Sequence, residues 1–248
     1  SGELAVDKNG SIATINMFSY SLNYKMRFIV MNRFYDAKYE SLYANSVSEA
    51  STIQNESGVY IGMEYNILDK IQISGYGDIF YFPNKKYLVE MFGSKGYDFN
   101  LQTVYSPINK LRLLIRYKQK EKDKNYSSSS DKMVIPYIQR RAKMQIYWDI
   151  NNTISTTTTL EGCLMNYKEK PNSKGFIISQ SANLKLSTIP LELYLHCAYF
   201  NTDSYEARIS LYEKGVKYAF SIPSFYYKGF RGALNIKYLL FKNITLYG

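Results

Sequence analysis

The sequence predicts an all-β fold, because apolar and polar residues alternate along many of its segments. In such a pattern each segment has one apolar and one polar face, as a β-strand does. Residues 111–118 show it clearly: every second position is apolar, and cationic residues occupy positions between, namely Leu111, Leu113, Ile115 and Tyr117 against Arg112, Arg116 and Lys118. No segment has a convincing helical period.

Five further segments alternate in the same way, in chain order 59–67, 70–81, 97–105, 141–149 and 191–199. The fourth sets Ala142, Met144, Ile146 and Trp148 against Arg141, Lys143 and Gln145. In the fifth, a run of leucines alternates with Glu192, Tyr194 and His196. Each of the five is therefore predicted to be a strand whose two faces meet different surroundings.

The connections between these segments alternate in length. Short turns are predicted at 68–70, 107–110, 150–152, 188–190 and 241–243, and longer polar stretches at 36–57, 83–95, 120–133 and 167–174. Residues 201–229 also separate two turns but contain strand-like pieces. Many of the predicted strands have about 10–13 residues, whereas five or six is usual in soluble sheets. Long strands with short turns at one end predict a transmembrane antiparallel outer-membrane β-barrel, with long extracellular loops and short periplasmic turns.

The alternative is a soluble β-sandwich, which also alternates and also uses many turns. Its strands would be shorter, its turns would not sort by length, and its inward face would be the apolar one. Here the polar face mixes charges with Gly, Gln and Asn, as a water-filled interior would. Aromatic residues also concentrate near strand ends, where barrels place their interfacial girdles. These features favour the barrel.

The composition offers few catalytic or metal-binding groups. The chain of 248 residues has a net charge of +10, 26 tyrosines, one histidine and two cysteines. The lone histidine, His196, is more often a structural or interior residue than a catalytic one. Cys163 and Cys197 form no metal motif, and two buried free thiols are favoured over a disulfide. The sequence therefore predicts a non-enzymatic protein without cofactor or metal.

The whole chain, residues 1–248, reads as one barrel domain, either a barrel or the C-terminal portion of a larger one. Its first residues look like one arm of a hairpin that turns at 7–10, with no partner strand before it. Its last residues, "NITLYG", begin a strand and stop short. Since an unpaired strand edge is unfavourable in hydrocarbon, the natural protein is expected to continue on both sides.

Four cations form a candidate basic patch on the polar face of two neighbouring segments: Arg112, Arg116, Arg141 and Lys143. One interpretation is ordinary interior chemistry, in which arginines pair with carboxylates across strands. The other is a positive wall that attracts anions or a phosphate backbone. Both interpretations stay open at the level of sequence.

The block from 201 to 238 carries a resemblance to a known family. It is similar to the C-terminal part of Bacteroidota outer-membrane proteins described as helix-hairpin-helix domain-containing. The pattern is held by Asp203, Ser204, Tyr205, Arg208, Ile209, Tyr212 and Glu213, then by Tyr218 to Pro223 including Phe220, and then by Tyr226, Lys228, Gly229 and Arg231. Tyr227 stands where the family usually has Gly. Upstream stretches at 39–65, 77–89, 96–107 and 116–126 match in order, and the motif residues are expected to be structural.

The resemblance implies a location in the outer membrane of a Gram-negative bacterium of Bacteroidota type. Three functions follow as hypotheses. The first is a transport pore or a component of an outer-membrane machine. The second is a barrel that captures DNA with a periplasmic helix-hairpin-helix module, which this chain does not contain. The third is a plugged barrel used as a docking subunit. The expected partners are the lipid bilayer and, as candidates, outer-membrane proteins or lipoproteins and a polyanion such as DNA.

The same block holds three charged residues among aromatics, Asp203, Arg208 and Glu213, and few simple alternations. Part of it is therefore expected to fold inward rather than form plain wall. A charge inside a barrel persists only with a partner, so Arg208 is expected to pair with Glu213 or Asp203.

Overall fold

A computed structural model describes residues 1–41, 45–127, 132–168, 170–186, 188–217, 220–241 and 244–248. Apart from one turn of 3-10 helix at Tyr205–Ala207, the regular elements are strands. Strands β1 to β11 are Gly2–Val6, Ile12–Asn23, Met26–Tyr35, Glu56–Leu68, Ile71–Phe82, Ser94–Ile108, Leu111–Ser127, Lys132–Asp149, Ile154–Tyr167, Ser173–Leu186 and Leu191–Thr202. Strands β12 to β17 are Ile209–Ser210, Glu213–Lys214, Phe220–Ser221, Ser224–Phe225, Lys228–Phe241 and Ile244–Tyr247.

Thirteen of these strands form one sheet, in the order β1 to β11 followed by β16 and β17. Neighbouring strands in this sheet are consecutive in the chain, apart from β11 and β16. The pairs whose register is defined are antiparallel. The remaining strands make two small pairs, β12 with β15 and β13 with β14. Within the described ranges, no helix has the length and hydropathy to span a membrane. The all-β, antiparallel prediction is confirmed.

The predicted difference in connection length is present in the first part of the sheet. Two residues separate β4 from β5 and β6 from β7, whereas 20 residues (36–55) separate β3 from β4. Two of the predicted long loops are wrong. Residues 120–127 belong to β7, and β8 begins at Lys132. Five residues (168–172) separate β9 from β10, against four (150–153) at the short turn between β8 and β9. Residues 128–131, 242–243 and most of the "SSSS" tip lie outside the described residues.

The two faces of the strands have opposite exposure. Large apolar side chains are exposed at alternate positions, among them Ile115, Met144 and Leu195. Polar residues between such positions are buried, as at Asp98 and Glu161. An exposed apolar face and a buried polar one is the arrangement of a protein whose outer solvent is lipid. We call them the apolar face and the polar face.

The two cysteines are free, but only one is buried. Cys163 lies on the polar face of β9, and Cys197 is exposed on β11. The expectation of two buried thiols is therefore wrong for Cys197. The reason is that Cys197 lies two positions after Leu195 on β11. Both side chains are therefore on the apolar face, which points away from the interior.

The chain separates into two compact units. The first consists of Ser1–Gln102, Lys118–Gln139 and Asn166–Pro171, and the second of Thr103–Tyr117, Arg140–Met165 and Asn172–Gly248. The first unit contains a buried ion cluster on the polar face of β3 to β5. Arg33 donates from Nε to Glu56 at 2.6 Å, and from its two terminal nitrogens to Asp78 at 2.8 and 3.0 Å.

Residues 45–55 of the first unit lie against the same polar face. Glu56 accepts backbone N–H groups of Glu49 and Ala50 and the hydroxyl of Ser48. Glu49 in turn pairs with Lys120 at 2.7 Å and with Lys122. These pairs explain why residues 120–127 form a strand although their sequence is so polar. Lys120 and Lys122 lie on the polar face of β7, and their charges are paired with the carboxylate of Glu49.

Candidate functional site

The four predicted cations all belong to the second unit, and the structure places them along the polar face of β7 and β8. These two strands are neighbours in the sheet. Arg112 lies 5.7 Å from the ring centroid of Tyr147, which shares its face with Lys143 and Arg141. Arg116 is close enough to Lys143 for their like charges to interact. We call Arg112, Arg116, Arg141 and Lys143 the basic wall.

One carboxylate serves two cations of this wall. Glu161 on β9 lies 3.5 Å from Arg141 and 3.8 Å from Lys143. Arg141 also donates to the backbone oxygen of Arg208 at 3.1 Å. In the part of the chain that the structure describes, Arg112 and Arg116 have no ion pair with a carboxylate. The basic wall is therefore only partly neutralised.

The connection between β11 and β16 folds onto the polar face of the second unit. We call residues 203–227 the inward segment. Its 3-10 helix and β12 contact β10, and Phe225 packs edge-on against Phe200 at 5.2 Å. Apolar residues from both sides are almost completely buried at this contact: Ala207, Ile209 and Phe225 from the segment, and Cys163, Ile177 and Ala198 from the strands. The predicted inward folding is confirmed.

Polar contacts also anchor the inward segment. Glu213 accepts two hydrogen bonds from Arg231 of β16, at 2.6 and 2.8 Å. Lys214 donates to Asn183 of β10 at 3.4 Å, and its carbonyl accepts from Asn235 at 2.6 Å. A bidentate guanidinium–carboxylate pair fixes orientation as well as position. The inward segment is therefore held to strands on both sides of it.

The expected pairing of Arg208 with Glu213 or Asp203 is wrong. Arg231 pairs with Glu213, and in the described part of the chain no ion pair joins Arg208 to Asp203. The guanidinium of Arg208 stacks over Tyr205 at 4.3 Å and donates to the Tyr205 carbonyl at 3.2 Å. The carboxylate of Asp203 accepts the backbone N–H of Lys174 at 3.1 Å. Arg208 is thus satisfied within its own turn.

The other motif residues also have local contacts. The rings of Tyr212 and Phe220 lie 5.8 Å apart. The carbonyl of Pro223 accepts the N–H of Leu211 at 3.3 Å. A Cβ on Gly229 would lie 2.8 Å from the ring of Phe200, so glycine permits that close approach. Tyr218 and Ala219 of the motif lie outside the described residues.

His196 lies on the polar face, as predicted, and is buried. Its Nδ1 is 2.9 Å from the hydroxyl of Ser181, which also accepts from Tyr194 at 3.1 Å. A nucleophilic serine would need a histidine that is oriented by a third group on the other ring nitrogen. Within the described ranges Nε2 of His196 has no such partner, and no cluster of His, Cys, Asp and Glu is suited to a metal.

Three outer-membrane proteins of known structure are similar to this chain. OmpT of Vibrio cholerae is 9% identical at a TM-score of 0.52, over 92% of this chain and 64% of its own. A mutant of the ferric enterobactin receptor PfeA of Pseudomonas aeruginosa is 7% identical at 0.58, over 99% and 42%. The ferric-catecholate import receptor Fiu of Escherichia coli is 9% identical at 0.52, over 99% and 53%. This chain has the fold of an outer-membrane β-barrel.

The chain thus spans less than two thirds of each of these three proteins. No protein-family model matches its sequence, and no curated protein matches it.

The sequence missed two contacts at the site. One is the partner of Glu213, Arg231, which is 18 positions away. The other is Glu161, a lone carboxylate on a threonine-rich strand, whose sharing between Arg141 and Lys143 depends on the register of β8 and β9. No alternating segment was predicted around Glu161, so nothing in the sequence placed it near either cation.

Tyr227, which precedes β16, provides a test of backbone strain. Its φ of 61° lies in the left-handed region, which is unfavourable for a non-glycine residue by roughly 1–2 kcal/mol. Its N–H and carbonyl are both bonded to Thr202, so the conformation is fixed. We expect Tyr227→Gly to raise the free energy of unfolding in detergent by about 1 kcal/mol, since Tyr227 is 59% exposed and its ring packs edge-on against the neighbouring ring of Tyr226 at 5.4 Å, a local contact.

Tyr226→Gly is the matched control, because Tyr226 has no positive φ and its ring contacts Tyr205 at 5.2 Å. It should lower the free energy of unfolding. An equal loss in both variants would show that Tyr227 is not strained.

Proposed function

We propose that this outer-membrane barrel protein is a non-enzymatic pore of the Gram-negative outer membrane that favours small anions. The observation that carries the proposal is the basic wall. Four cations share one face of β7 and β8, and Glu161 is the carboxylate that pairs with two of them. The proposal takes the polar face as the lining of a water-filled lumen.

The electrostatics of such a lining support selectivity. Charges of one sign along low-dielectric walls focus their field into the lumen and raise the local concentration of counter-ions. Rings and rows of arginine and lysine serve this purpose in anion pores. One shared carboxylate leaves most of the wall's positive charge available to a passing anion.

The inward segment supports a constriction beside this wall. It reaches the wall where Arg141 donates to the carbonyl of Arg208. It is anchored on β10 by Lys214 and on β16 by Glu213, through the contacts to Asn183 and Arg231. A buried apolar contact with β10 and β11 keeps such a segment in place while ions pass.

Reversal potentials in planar lipid bilayers under a KCl gradient test the proposal. We expect chloride to be more permeant than potassium, and the double variant Arg112→Gln/Arg116→Gln to reduce the permeability ratio at least twofold. These two arginines are chosen because Arg141 and Lys143 also hold Glu161. Removing Arg112 and Arg116 therefore lowers the positive charge of the wall and leaves Glu161 paired.

The matched control is Lys8→Gln/Lys70→Gln, which removes the same charge from two exposed turn positions. It should leave the ratio unchanged. A cation-selective channel, or an equal effect of both double variants, would contradict the proposal.

A plugged barrel that serves as a docking subunit is the second candidate. The observation that favours it is the inward segment itself, since a well-anchored segment on the polar face can close a lumen. Absence of conductance in the same bilayers would favour this candidate over the pore. Polyanion or DNA capture, with the Bacteroidota helix-hairpin-helix context, remains a third proposal, and DNA affinity that falls steeply with salt would support it.

A further inference from the structure

A polar cavity of about 480 Å³ lies in the first unit, between the connections that follow β3 and β5. We call it the loop cavity. It is lined by Ala37, by six residues between 49 and 55, by five residues between 82 and 87, and by Lys122 of β7. A cavity of this size is sufficient for a small ligand, and it lies among connecting residues, where binding sites are frequent.

The cations of the loop cavity outnumber its anions. Lys85, Lys86 and Lys122 line it together with Glu49. Glu49 is already paired with Lys120 and Lys122. In the described part of the chain no carboxylate forms an ion pair with Lys85 or Lys86, and the Nζ of Lys86 lies 3.2 Å from the ring centroid of Phe82. The cavity can therefore accept one negative charge.

The rest of the lining is suited to hydroxyl groups. The side chains of Ser51, Thr52 and Gln54 line the cavity, and none of them has a hydrogen-bond partner among the described residues. Tyr87 adds an aromatic ring at the rim that is 85% exposed. Serine and threonine hydroxyls and a glutamine amide can hydrogen-bond to the hydroxyl groups of a ligand. The exposed tyrosine ring offers that ligand an apolar face with a polar tip.

We infer that the loop cavity binds an acidic saccharide, a hydroxylated ring that carries a carboxylate. Lys86 and Lys85 contact the carboxylate, and Ser51, Thr52 and Gln54 contact ring hydroxyls. The inference does not rest on the proposed pore function, because the loop cavity belongs to the first unit and the basic wall to the second.

Lys86 gives the site a characteristic pH dependence. Burial lowers the pKa of Lys86 to about 8, with Lys122 lowering it further and Glu49, Glu56 and Asp123 opposing the shift. A lowered pKa means that the amine loses its charge as the pH rises through about 8. Affinity for an anion is therefore present below that pH and weakens above it. An ordinary lysine would keep its charge until a pH of about 10.

Calorimetric titration of the full chain in detergent tests the inference, with glucuronate, glucose and inorganic phosphate as probes. We expect glucuronate to bind at least tenfold more tightly than either of the others at pH 7. Raising the pH to 9.5 should weaken glucuronate binding by up to about tenfold, as Lys86 deprotonates.

Three variants complete the test. Lys86→Gln should weaken glucuronate binding about tenfold and remove the loss between pH 7 and 9.5. Thr52→Val keeps every charge and should weaken glucuronate while leaving phosphate unchanged. Lys8→Gln, outside the loop cavity, should change nothing. Equal affinity for glucuronate and glucose, equal affinity for glucuronate and phosphate, or unchanged binding by Lys86→Gln would overturn the inference. Heat-dependent gel mobility confirms that each variant is folded.

Discussion

Replacing Arg33 by alanine should lower the free energy of unfolding by about 3–5 kcal/mol, the range expected when one partner of a buried ion cluster is removed. The side chains of Arg33 and Glu56 are completely buried, and Asp78 is nearly so. Arg33→Ala leaves two carboxylates without their cation in a medium where an unpaired charge is poorly solvated. The measurement is equilibrium unfolding in urea, in detergent or lipid.

The two carboxylates should differ in how far their neutralisation rescues this variant. Glu56 keeps the N–H groups of Glu49 and Ala50 and the hydroxyl of Ser48 as donors. Asp78 loses both of its bonds to Arg33. Adding Asp78→Asn to Arg33→Ala should therefore recover more stability than adding Glu56→Gln, which weakens the acceptor that holds residues 48–50.

Arg27→Ala is the matched control for the same strand. Arg27 is exposed, and within the described ranges it forms no ion pair. Its removal should change the free energy of unfolding by no more than about 0.5 kcal/mol. If Arg33→Ala lowered the free energy of unfolding as little as Arg27→Ala, the ion cluster would not stabilise the first unit.

The Arg33 cluster also shows where sequence reasoning stops. Alternation of period two identifies a strand and assigns its faces, which is why β4 to β8 and β11 were predictable. It does not give the register between strands. Arg33 lies opposite Gly58, and a Cβ on Gly58 would lie 2.5 Å from its guanidinium carbon. That glycine makes room for a pair with Asp78, 45 positions away.

The same limit explains the error at Glu213. Arg208 is the nearer cation in the sequence, but β13 pairs with β14 and brings Glu213 to Arg231 on β16. Aromatic density and broken alternation were sufficient to predict that part of residues 201–238 folds inward. They were not sufficient to predict which charges meet there. Contacts between elements far apart in the chain depend on three-dimensional packing that no local pattern contains.

The apolar face provides the second large effect. Ile115 is 60% exposed on β7, and it lies five residues beyond the turn that ends at Lys110. Five residues of strand span about 17 Å, and with a strand tilt of about 40° this places Ile115 roughly 13 Å above that turn, near the middle of an apolar band of about 25 Å. We expect Ile115→Arg to destabilise the protein in lipid vesicles by about 2–4 kcal/mol.

Gln102→Arg is the matched control, since Gln102 lies on the polar face of β6, at the parity of Asp98. An arginine there meets the charged interior instead of hydrocarbon, so the free energy of unfolding should change by less than about 1 kcal/mol. Urea unfolding in vesicles and the folded fraction after assembly measure both variants. A shift of one residue in the face assignment exchanges the two surroundings. In that case Gln102→Arg would be the damaging substitution and Ile115→Arg the tolerated one, which would contradict the assignment of both faces.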